Sequence, residues 1–270
     1  MTTVADVAAA VERLWPISGS EAWDAPGLLS GDPSATVTRI LLAVDAVADT
    51  VDEAIDVGAE VLLVHHPLLL RGVTTVAEST AKGAVLARLI RGGCALLAAH
   101  TNADIVETGT SARLASLLGL QDAVPIVETA PGVGLGRVGA LPEPTTLGAL
   151  ARRLAGILPP TATGVRVAGA FDRAVQTIAV CGGAGDSLLG EPAVLAADAY
   201  ITADLRHHPA SEAVESARVA GGPALIDVSH WASEWLWLET AAAELRAELP
   251  GVEVVVSDLR TDPWDFVVVQ

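Results

Sequence analysis

The sequence predicts an α/β chain of two α/β/α domains with similar topology, mostly parallel sheets, and functional residues at the carboxyl ends of strands. Short apolar runs alternate with longer amphipathic segments along most of its 270 residues. The chain is 51% hydrophobic but only 3% aromatic, so Ala, Val and Leu must build a tightly layered core. A stretch rich in proline and glycine, residues 122–144, breaks the alternation and divides the chain in two.

The first half shows one N-terminal helix followed by three strand and helix repeats. Thr3 is a suitable N-cap for a segment with apolar residues at helical spacing, and Pro16 ends it. Periodicity then predicts strands at 40–44, 61–64 and 95–98, and helices at 50–57, 82–90 and 111–118. Repetition of this kind implies parallel strands covered by helices.

After the interruption, interpreted as a domain boundary with a glycine-containing strand, the alternation resumes. The predicted helices are 147–158, 187–197, 211–219 and about 230–249, and the predicted strands are 175–180, 200–202, 224–228 and 252–256.

Charge and composition exclude several classes of protein. The net charge of -17, from 33 acidic and 16 basic residues, argues against broad attraction to nucleic acid or anionic lipid. Cys94 and Cys181 belong to no metal-binding spacing and are expected in the core. Asp6 and Glu12 interrupt the N-terminal apolar stretch, so we predict no signal peptide, and no apolar run is long enough to span a bilayer. A soluble cytoplasmic protein is expected.

The histidines are the most informative residues, because all six fall at four places that follow predicted strands. Ligands bind at the carboxyl ends of strands in open α/β sheets, so these positions are expected to converge. Imidazole with carboxylate is the ligand set of a catalytic transition-metal site, which predicts a metalloprotein. The histidines are His65, His66, His100, His207, His208 and His230.

At three of these places a histidine lies near another histidine or a carboxylate, at a spacing that suits metal ligands. His65 and His66 are adjacent, and neighbouring residues leaving a strand project to opposite sides, which suits two metals; a chance pair in a surface loop is the alternative. In HTNAD, Asp104 is the better ligand, with His100 an outer group or proton carrier; an Asx-rich turn is the alternative. His230 and Glu234 lie one turn apart on one face of a helix and could form a ligand pair; a solvent-facing pair is the alternative and is commoner at this spacing.

Two further segments are candidates for substrate contacts. In TADLRHH, His208 could transfer protons or contact an anion, and Arg206 could bind phosphate, whereas Asp204 with His207 could form only a loop hydrogen bond. The segment CGGAGDSLL could present backbone amides to an anion, although it lacks the lysine of a P-loop and a tight turn is the simpler interpretation.

In order along the chain, WDAPGLLSG, LAVDAV, HHPLL, HTNAD, the glycine turn, ITADLRHH and DVSHWASE resemble the Ngg-interacting-factor-three-like family of dinuclear-metal hexameric proteins. Many of its members are named GTP cyclohydrolase I type 2 homologues. The resemblance implies five metal ligands, with Glu234 bridging two divalent ions: His65, His66, Asp104, His230 and Glu234. The set contains no thiolate, so zinc, iron and manganese are the candidate metals.

The resemblance also implies a domain at 1–125 completed by 226–270, a second domain at 126–225, and a toroidal homohexamer. It points to a hydrolase that opens the purine ring of GTP and releases formate, using water activated by the metals. His100 and His208 would then be catalytic proton carriers, and Arg206 and Arg71 would bind the triphosphate. A non-enzymatic metal-binding scaffold or regulator is the alternative, and the charge counts against a nucleic-acid-binding protein.

Overall fold

The computed structural model describes residues 1–269 and contains two compact units. Unit 1 comprises Met1–Ala103 and Leu238–Thr261, and unit 2 comprises Asp104–Trp237 together with the residues from Asp262 onward. The domain limits inferred from the sequence break the chain at other positions and stay a prediction.

The elements are as follows in chain order. The α-helices are α1 (Val4–Leu14), α2 (Ala48–Asp56), α3 (Ala81–Arg91), α4 (Thr101–Asp104), α5 (Thr110–Leu117), α6 (Leu147–Ile157), α7 (Pro192–Leu195), α8 (His207–Ala220), α9 (His230–Trp235) and α10 (Leu238–Glu248). The strands are β1 (Gly27–Ser30), β2 (Arg39–Asp45), β3 (Val61–His66), β4 (Ala95–Ala98), β5 (Gln121–Val124), β6 (Val127–Ala130), β7 (Val133–Leu135), β8 (Arg137–Thr146), β9 (Arg166–Ala168), β10 (Ala174–Ala184), β11 (Ala199–Ala203), β12 (Ala224–Val228) and β13 (Glu253–Val256). Short 3-10 helices lie at Ile17–Gly19 and Asp186–Leu188.

Unit 1 is built on a five-stranded sheet in the order β1-β4-β3-β2-β13. The pairs β13-β2, β2-β3 and β3-β4 are parallel, and β1 is added to β4 as an antiparallel edge strand. Residues of the central strands are almost entirely buried, as the continuous apolar runs predict for strands covered on both faces. The parallel arrangement brings the carboxyl ends of β2, β3 and β4 to one edge of the sheet.

Unit 2 is built on a six-stranded sheet in the order β5-β8-β10-β11-β12-β9. Its centre is the parallel set β10-β11-β12, to which the other strands are added antiparallel. A separate antiparallel pair joins β6 to β7. Unit 2 therefore repeats the feature of unit 1 in which three neighbouring parallel strands end together.

The predicted α/β class with mostly parallel sheets is confirmed, and α1 begins after its Thr3 cap as expected. The helix predicted at 187–197 is wrong: a 3-10 turn and the four-residue α7 replace it, because Pro192 begins a helix rather than continuing one. The helix predicted from 230 to 249 is two helices, separated by a tight turn in which the Trp237 amide donates to the Glu234 carbonyl at 2.9 Å. In residues 1–269 no helix is both long and apolar enough to cross a membrane.

The core of unit 1 is tested by Leu62→Ala on β3. Leu62 is fully buried, and removing a buried leucine side chain costs about 2–5 kcal/mol of stability through lost burial and the cavity left behind. Chemical denaturation in the presence of a chelator should show this loss. Ile90→Ala is the control, because Ile90 is 66% exposed on α3; equal effects of the two substitutions would contradict the assigned core.

Candidate metal centre

In unit 1 the candidate ligands lie where three parallel strands end. His65 and His66 are the last residues of β3, Asp45 is the last residue of β2, and His100 follows β4 by two residues. The register places Asp45 opposite His66 and Val64 opposite Ala98. Strand pairing alone therefore sets these side chains beside one another.

Each imidazole in this group is held through its Nδ1 atom. His65 Nδ1 lies 2.8 Å from the Ala99 carbonyl oxygen, and His66 Nδ1 lies 2.7 Å from Asp45 Oδ1. A carbonyl or carboxylate oxygen only accepts, so Nδ1 must carry the hydrogen in each contact. In the neutral ring Nε2 is then the atom with a lone pair for a metal, which is the usual arrangement around metal-ligating histidines.

His100 is held in the same way by a carboxylate from the loop before β1. Its Nδ1 lies 2.7 Å from Asp24 Oδ1, and the backbone amide of Thr101 donates to Asp24 Oδ2 at 3.0 Å. Burial by itself would raise the pKa of Asp24, but the hydrogen bonds from His100 and Thr101 outweigh it and hold the pKa well below its usual range. The Asn102 side chain shapes the turn in HTNAD, since its Oδ1 accepts from the His100 amide at 2.9 Å.

These three imidazoles form one cluster in unit 1. The ring centroids of His65 and His66 are 5.1 Å apart, and that of His100 lies 5.2 Å from His65 and 5.5 Å from His66. One nitrogen from each ring can be chosen so that all three lie within 4.8 Å of one another. His65 and His66 were expected to project to opposite sides. Their Nδ1 atoms do face opposite neighbours, the residue after β4 and the last residue of β2, while their ring centroids stay 5.1 Å apart.

In unit 2 the candidate ligands are Asp104, at the end of α4, and the pair His230 and Glu234 on α9. Thr110 Oγ1 donates to Asp104 Oδ1 at 2.5 Å. Ser229 caps α9 by accepting from the Ala232 amide at 3.1 Å. The cap starts a helix at His230, so that the Glu234 carboxylate falls one turn later, with Oε1 3.0 Å from His230 Nε2.

His230 lies between two carboxylates. Its Nδ1 is 2.8 Å from Asp204 Oδ2, and its Nε2 faces Glu234. Asp204 and Ser229 follow neighbouring parallel strands whose last residues, Ala203 and Val228, are in register. Burial would lower the pKa of His230, but the charges of Glu234 and Asp204 prevail and raise it to about 11. The two carboxylates therefore favour the protonated ring, and a cation that takes Nε2 must displace its proton.

Gly183 on β10 is fitted against this pair. Its φ is +68°, and a Cβ atom there would collide with Glu234 Oε1 and lie 3.3 Å from His230 Nε2. The Gly183 amide donates to Ser233 Oγ at 2.9 Å, which holds β10 against α9. The glycine segment was interpreted from sequence as a turn or an anion site. Its first residues lie at the end of β10, where Gly183 makes room for a carboxylate, and the residues after Gly185 form a 3-10 turn.

The other predicted residues lie at the start of α8 or in a loop. Arg206 is the N-cap of α8 and forms an exposed ion pair with Asp186, with Nη2 2.6 Å from Oδ2. His207 and His208 open the helix and are exposed, with ring centroids 5.2 Å apart. Arg71 is exposed beyond β3. An anion that bound Arg206 would compete with Asp186 for the guanidinium.

Four residues of the candidate centre were not identified from sequence: Asp24, Asp45, Asp204 and Gly183. Asp45 could have been found, since it ends an apolar run just as His65 and His66 do. Asp204 was considered only as a loop partner of His207, whereas its carboxylate accepts from His230. The spacing of residues along the chain could not indicate Asp24 or Gly183. Asp24 reaches the site from a loop, and Gly183 lies where the pairing of β10 is irregular.

The donor set fits a divalent transition metal. Unit 1 offers imidazoles oriented by fixed outer partners, and unit 2 offers a carboxylate and an imidazole on adjacent helical turns, in a cradle that a Cβ atom would fill. Imidazole and carboxylate without thiolate are suited to zinc, iron or manganese. The residues present are therefore able to hold the metal that the sequence predicts.

The cradle is tested by Gly183→Ala. The added methyl group would push Glu234 and His230 apart, and we expect the affinity for Zn²⁺ to fall about 10-fold or more, as for disrupted outer-shell partners. Gly58→Ala is a matched control, since Gly58 also has a φ of +68° but a Cβ there meets only Arg39 Nη1 at 3.7 Å. Both substitutions should cost about 1 kcal/mol of stability through backbone strain. Unchanged Zn²⁺ binding by the Gly183 variant in calorimetry would contradict the cradle.

Known proteins resemble the chain over nearly its full length. A protein-family model described as Duf34/NIF3 (NGG1p interacting factor 3) matches residues 2–263. A protein of Streptomyces coelicolor named GTP cyclohydrolase 1 type 2 homolog is 47% identical over 98% of this chain and 94% of its own length, and a Mycobacterium leprae protein of the same name is 36% identical over 97% and 95%. A Bacillus cereus protein related to NIF3 has the same fold, with a TM-score of 0.88 and 22% identity over 99% of both chains. A hypothetical protein of Staphylococcus aureus superposes with a TM-score of 0.87 and 26% identity over 98% of this chain and 99% of its own. The chain therefore belongs to the Duf34/NIF3 (NGG1p interacting factor 3) family.

Proposed function

We propose that this protein is a dinuclear metal-dependent hydrolase that acts on a nucleotide, with GTP ring opening and formate release as the reaction. Five residues would hold the two divalent ions: His65, His66, Asp104, His230 and Glu234. The relatives' name, GTP cyclohydrolase 1 type 2 homolog, supports the substrate.

The observation that carries the proposal is the orientation of the histidines. The Nδ1 atoms of His65, His66 and His230 each face a carbonyl or carboxylate oxygen at 2.7–2.8 Å. A surface histidine has no need of such a partner, whereas a metal ligand does, because the outer hydrogen bond fixes both the ring and its tautomer.

Divalent ions at such a centre supply Lewis acidity and lower the pKa of a coordinated water toward neutrality. The chain supplies the rest of the chemistry. Gly183 keeps space for the Glu234 carboxylate, and Thr110 fixes Asp104 through the hydrogen bond to its Oδ1. His100 and His208 are the proposed proton carriers, and their two environments differ, since His100 is largely buried against Asp24 and His208 is exposed.

Arg206 and Arg71 are the proposed contacts for the triphosphate. Both are exposed, and a guanidinium binds phosphate oxygens through paired hydrogen bonds. Arg206, the N-cap of α8, is paired with Asp186, so a phosphate group would have to displace this carboxylate.

A non-enzymatic metal-binding scaffold or regulator is the second candidate. The same donor set supports it, because ligands and fold do not fix a reaction. The proposed toroidal homohexamer and the cytoplasmic setting are common to both candidates and rest on the family resemblance.

The hydrolase proposal is tested by measuring formate release from GTP by the metal-loaded protein and by His65→Ala and Glu234→Ala. Each substitution removes a proposed ligand, so the release should fall by at least 100-fold, about 3 kcal/mol of transition-state stabilisation. A chelator should abolish it, and Zn²⁺, Fe²⁺ or Mn²⁺ should restore it.

Glu215→Ala is the matched control for Glu234→Ala, because Glu215 is an exposed residue of α8 paired only with Arg218 in the described part of the chain. It should retain the wild-type rate. If the loaded protein binds metal but releases no formate from GTP and hydrolyses no other nucleotide, the hydrolase proposal is wrong and the scaffold is favoured.

A further inference from the structure

Trp23 is an exposed indole in the loop before β1. The chain has six tryptophans, and in its described part only Trp23 and Trp264 are exposed, at 59% and 61%. An indole has a large apolar surface, which burial usually stabilises. A single exposed apolar side chain is common and by itself indicates nothing. The surroundings of Trp23 are what distinguish it.

The residues on either side of Trp23 are anchored to the segment that follows β4. The Glu21 amide donates to Thr101 Oγ1 at 3.0 Å, and the Thr101 hydroxyl donates to Asp24 Oδ2 at 2.5 Å. The Asp24 amide donates to the Glu21 carbonyl at 3.0 Å, which closes a turn with Trp23 inside it. The loop is therefore fixed in advance, and a ligand that bound the indole would lose little free energy to ordering it.

Trp23 also lies beside the imidazoles of the candidate metal centre. Its ring centroid is 5.8 Å from that of His100, at an interplanar angle of 77°. The His100 centroid is in turn 5.2 Å from that of His65 and 5.5 Å from that of His66. In an edge-to-face pair the edge of one ring meets the face of the other, so at least one face of the indole is not covered by His100. A flat, exposed apolar surface thus adjoins these histidines.

From this geometry we propose that Trp23 is a substrate-binding residue of this centre, and that its indole stacks on a heteroaromatic ring, the base of a nucleotide. Every nucleobase has a flat π face, and stacking on an aromatic side chain contributes substantially to affinity whatever the base. The proposal rests on the proposed function for the choice of a nucleotide, but it does not need the ring-opening reaction.

The charges beside Trp23 determine which part of a nucleotide lies there. The charged side chains nearest to it in sequence are the carboxylates of Glu21 and Asp24, which repel phosphate. The uncharged base therefore lies against the indole, and the phosphates are bound elsewhere. Affinity for a nucleoside should depend on Trp23, and affinity for a polyphosphate should not.

The test measures the binding of guanosine and of inorganic tripolyphosphate to the metal-loaded full chain by calorimetry. Trp23→Ala should weaken guanosine binding by about 5- to 100-fold and leave tripolyphosphate binding unchanged, and Trp23→Phe should restore most of the guanosine affinity. Trp264→Ala is the matched control, because Trp264 is equally exposed but belongs to unit 2; it should bind guanosine as the wild type does. Circular dichroism establishes that each variant is folded.

A second measurement leaves Trp23 in place. A base stacked on an indole quenches its fluorescence, so guanosine should quench the tryptophan emission of the wild type and of Trp264→Ala, but not of Trp23→Phe. Guanosine affinity that does not depend on Trp23, or no guanosine binding to the wild type, would overturn the proposal. So would a Trp23→Ala variant that alters only the oligomeric state, because Trp23 would then be a contact between copies of the chain.

Failure of the hydrolase proposal looks different. GTP would then yield no formate, although guanosine binding still depended on Trp23. Conversely, formate release from GTP with guanosine affinity unchanged by Trp23→Ala would leave the hydrolase standing and remove the stacking contact.

Discussion

The hydrogen bond that each histidine of the candidate metal centre makes through Nδ1 is the constraint on which the rest of this structure depends. It exists because parallel strands end together: β2, β3 and β4 bring Asp45, His65, His66 and Ala99 to one edge of their sheet, and β11 and β12 bring Asp204 beside His230. The pairing of the strands, and not side-chain packing alone, thus determines that Nδ1 is the nitrogen of each ring that bonds to an oxygen acceptor. A side chain fixed in this way loses little further entropy when it binds an ion, so the fold prepares the ligands before a metal arrives.

Charge compensation is the second consequence of that arrangement. His65, His66 and His100 each face an oxygen acceptor, and His230 faces carboxylates on both sides, which is why its pKa rises to about 11. In the folded chain without metal, a raised histidine pKa means that the bound proton stabilises the fold fully below the ordinary pKa of the ring, and that this contribution is lost as the pH rises through 11. A divalent cation can replace this proton and neutralise the same carboxylates, so metal binding and proton release are linked. The buried Glu234 carboxylate is therefore stabilised by the protonated His230 ring or by a cation that replaces the proton.

Much of the fold was predictable because it follows from periodicity. Alternating apolar runs and amphipathic segments located the strands β2, β3, β4 and β12, and the rule that ligands gather at strand ends brought the histidines into consideration. What sequence could not show depends on longer-range geometry. Asp24 reaches His100 from a loop, and Gly183 lies against Glu234 where β10 is irregular near its end. The break between α9 and α10 is a turn closed by the hydrogen bond from the Trp237 amide to the Glu234 carbonyl. None of these contacts follows from the spacing of residues along the sequence, and each can be recognised only in the folded chain.

The central claim is that this chain folds into oriented imidazole and carboxylate ligands for divalent transition metals. Elemental analysis of the protein purified gently without chelators, with the metal content expressed per chain, tests it most directly. The account predicts close to two ions of zinc, iron or manganese per chain, recovered when the metal-stripped protein is titrated with the same ion. A content near zero, with added metal failing to bind, would contradict it.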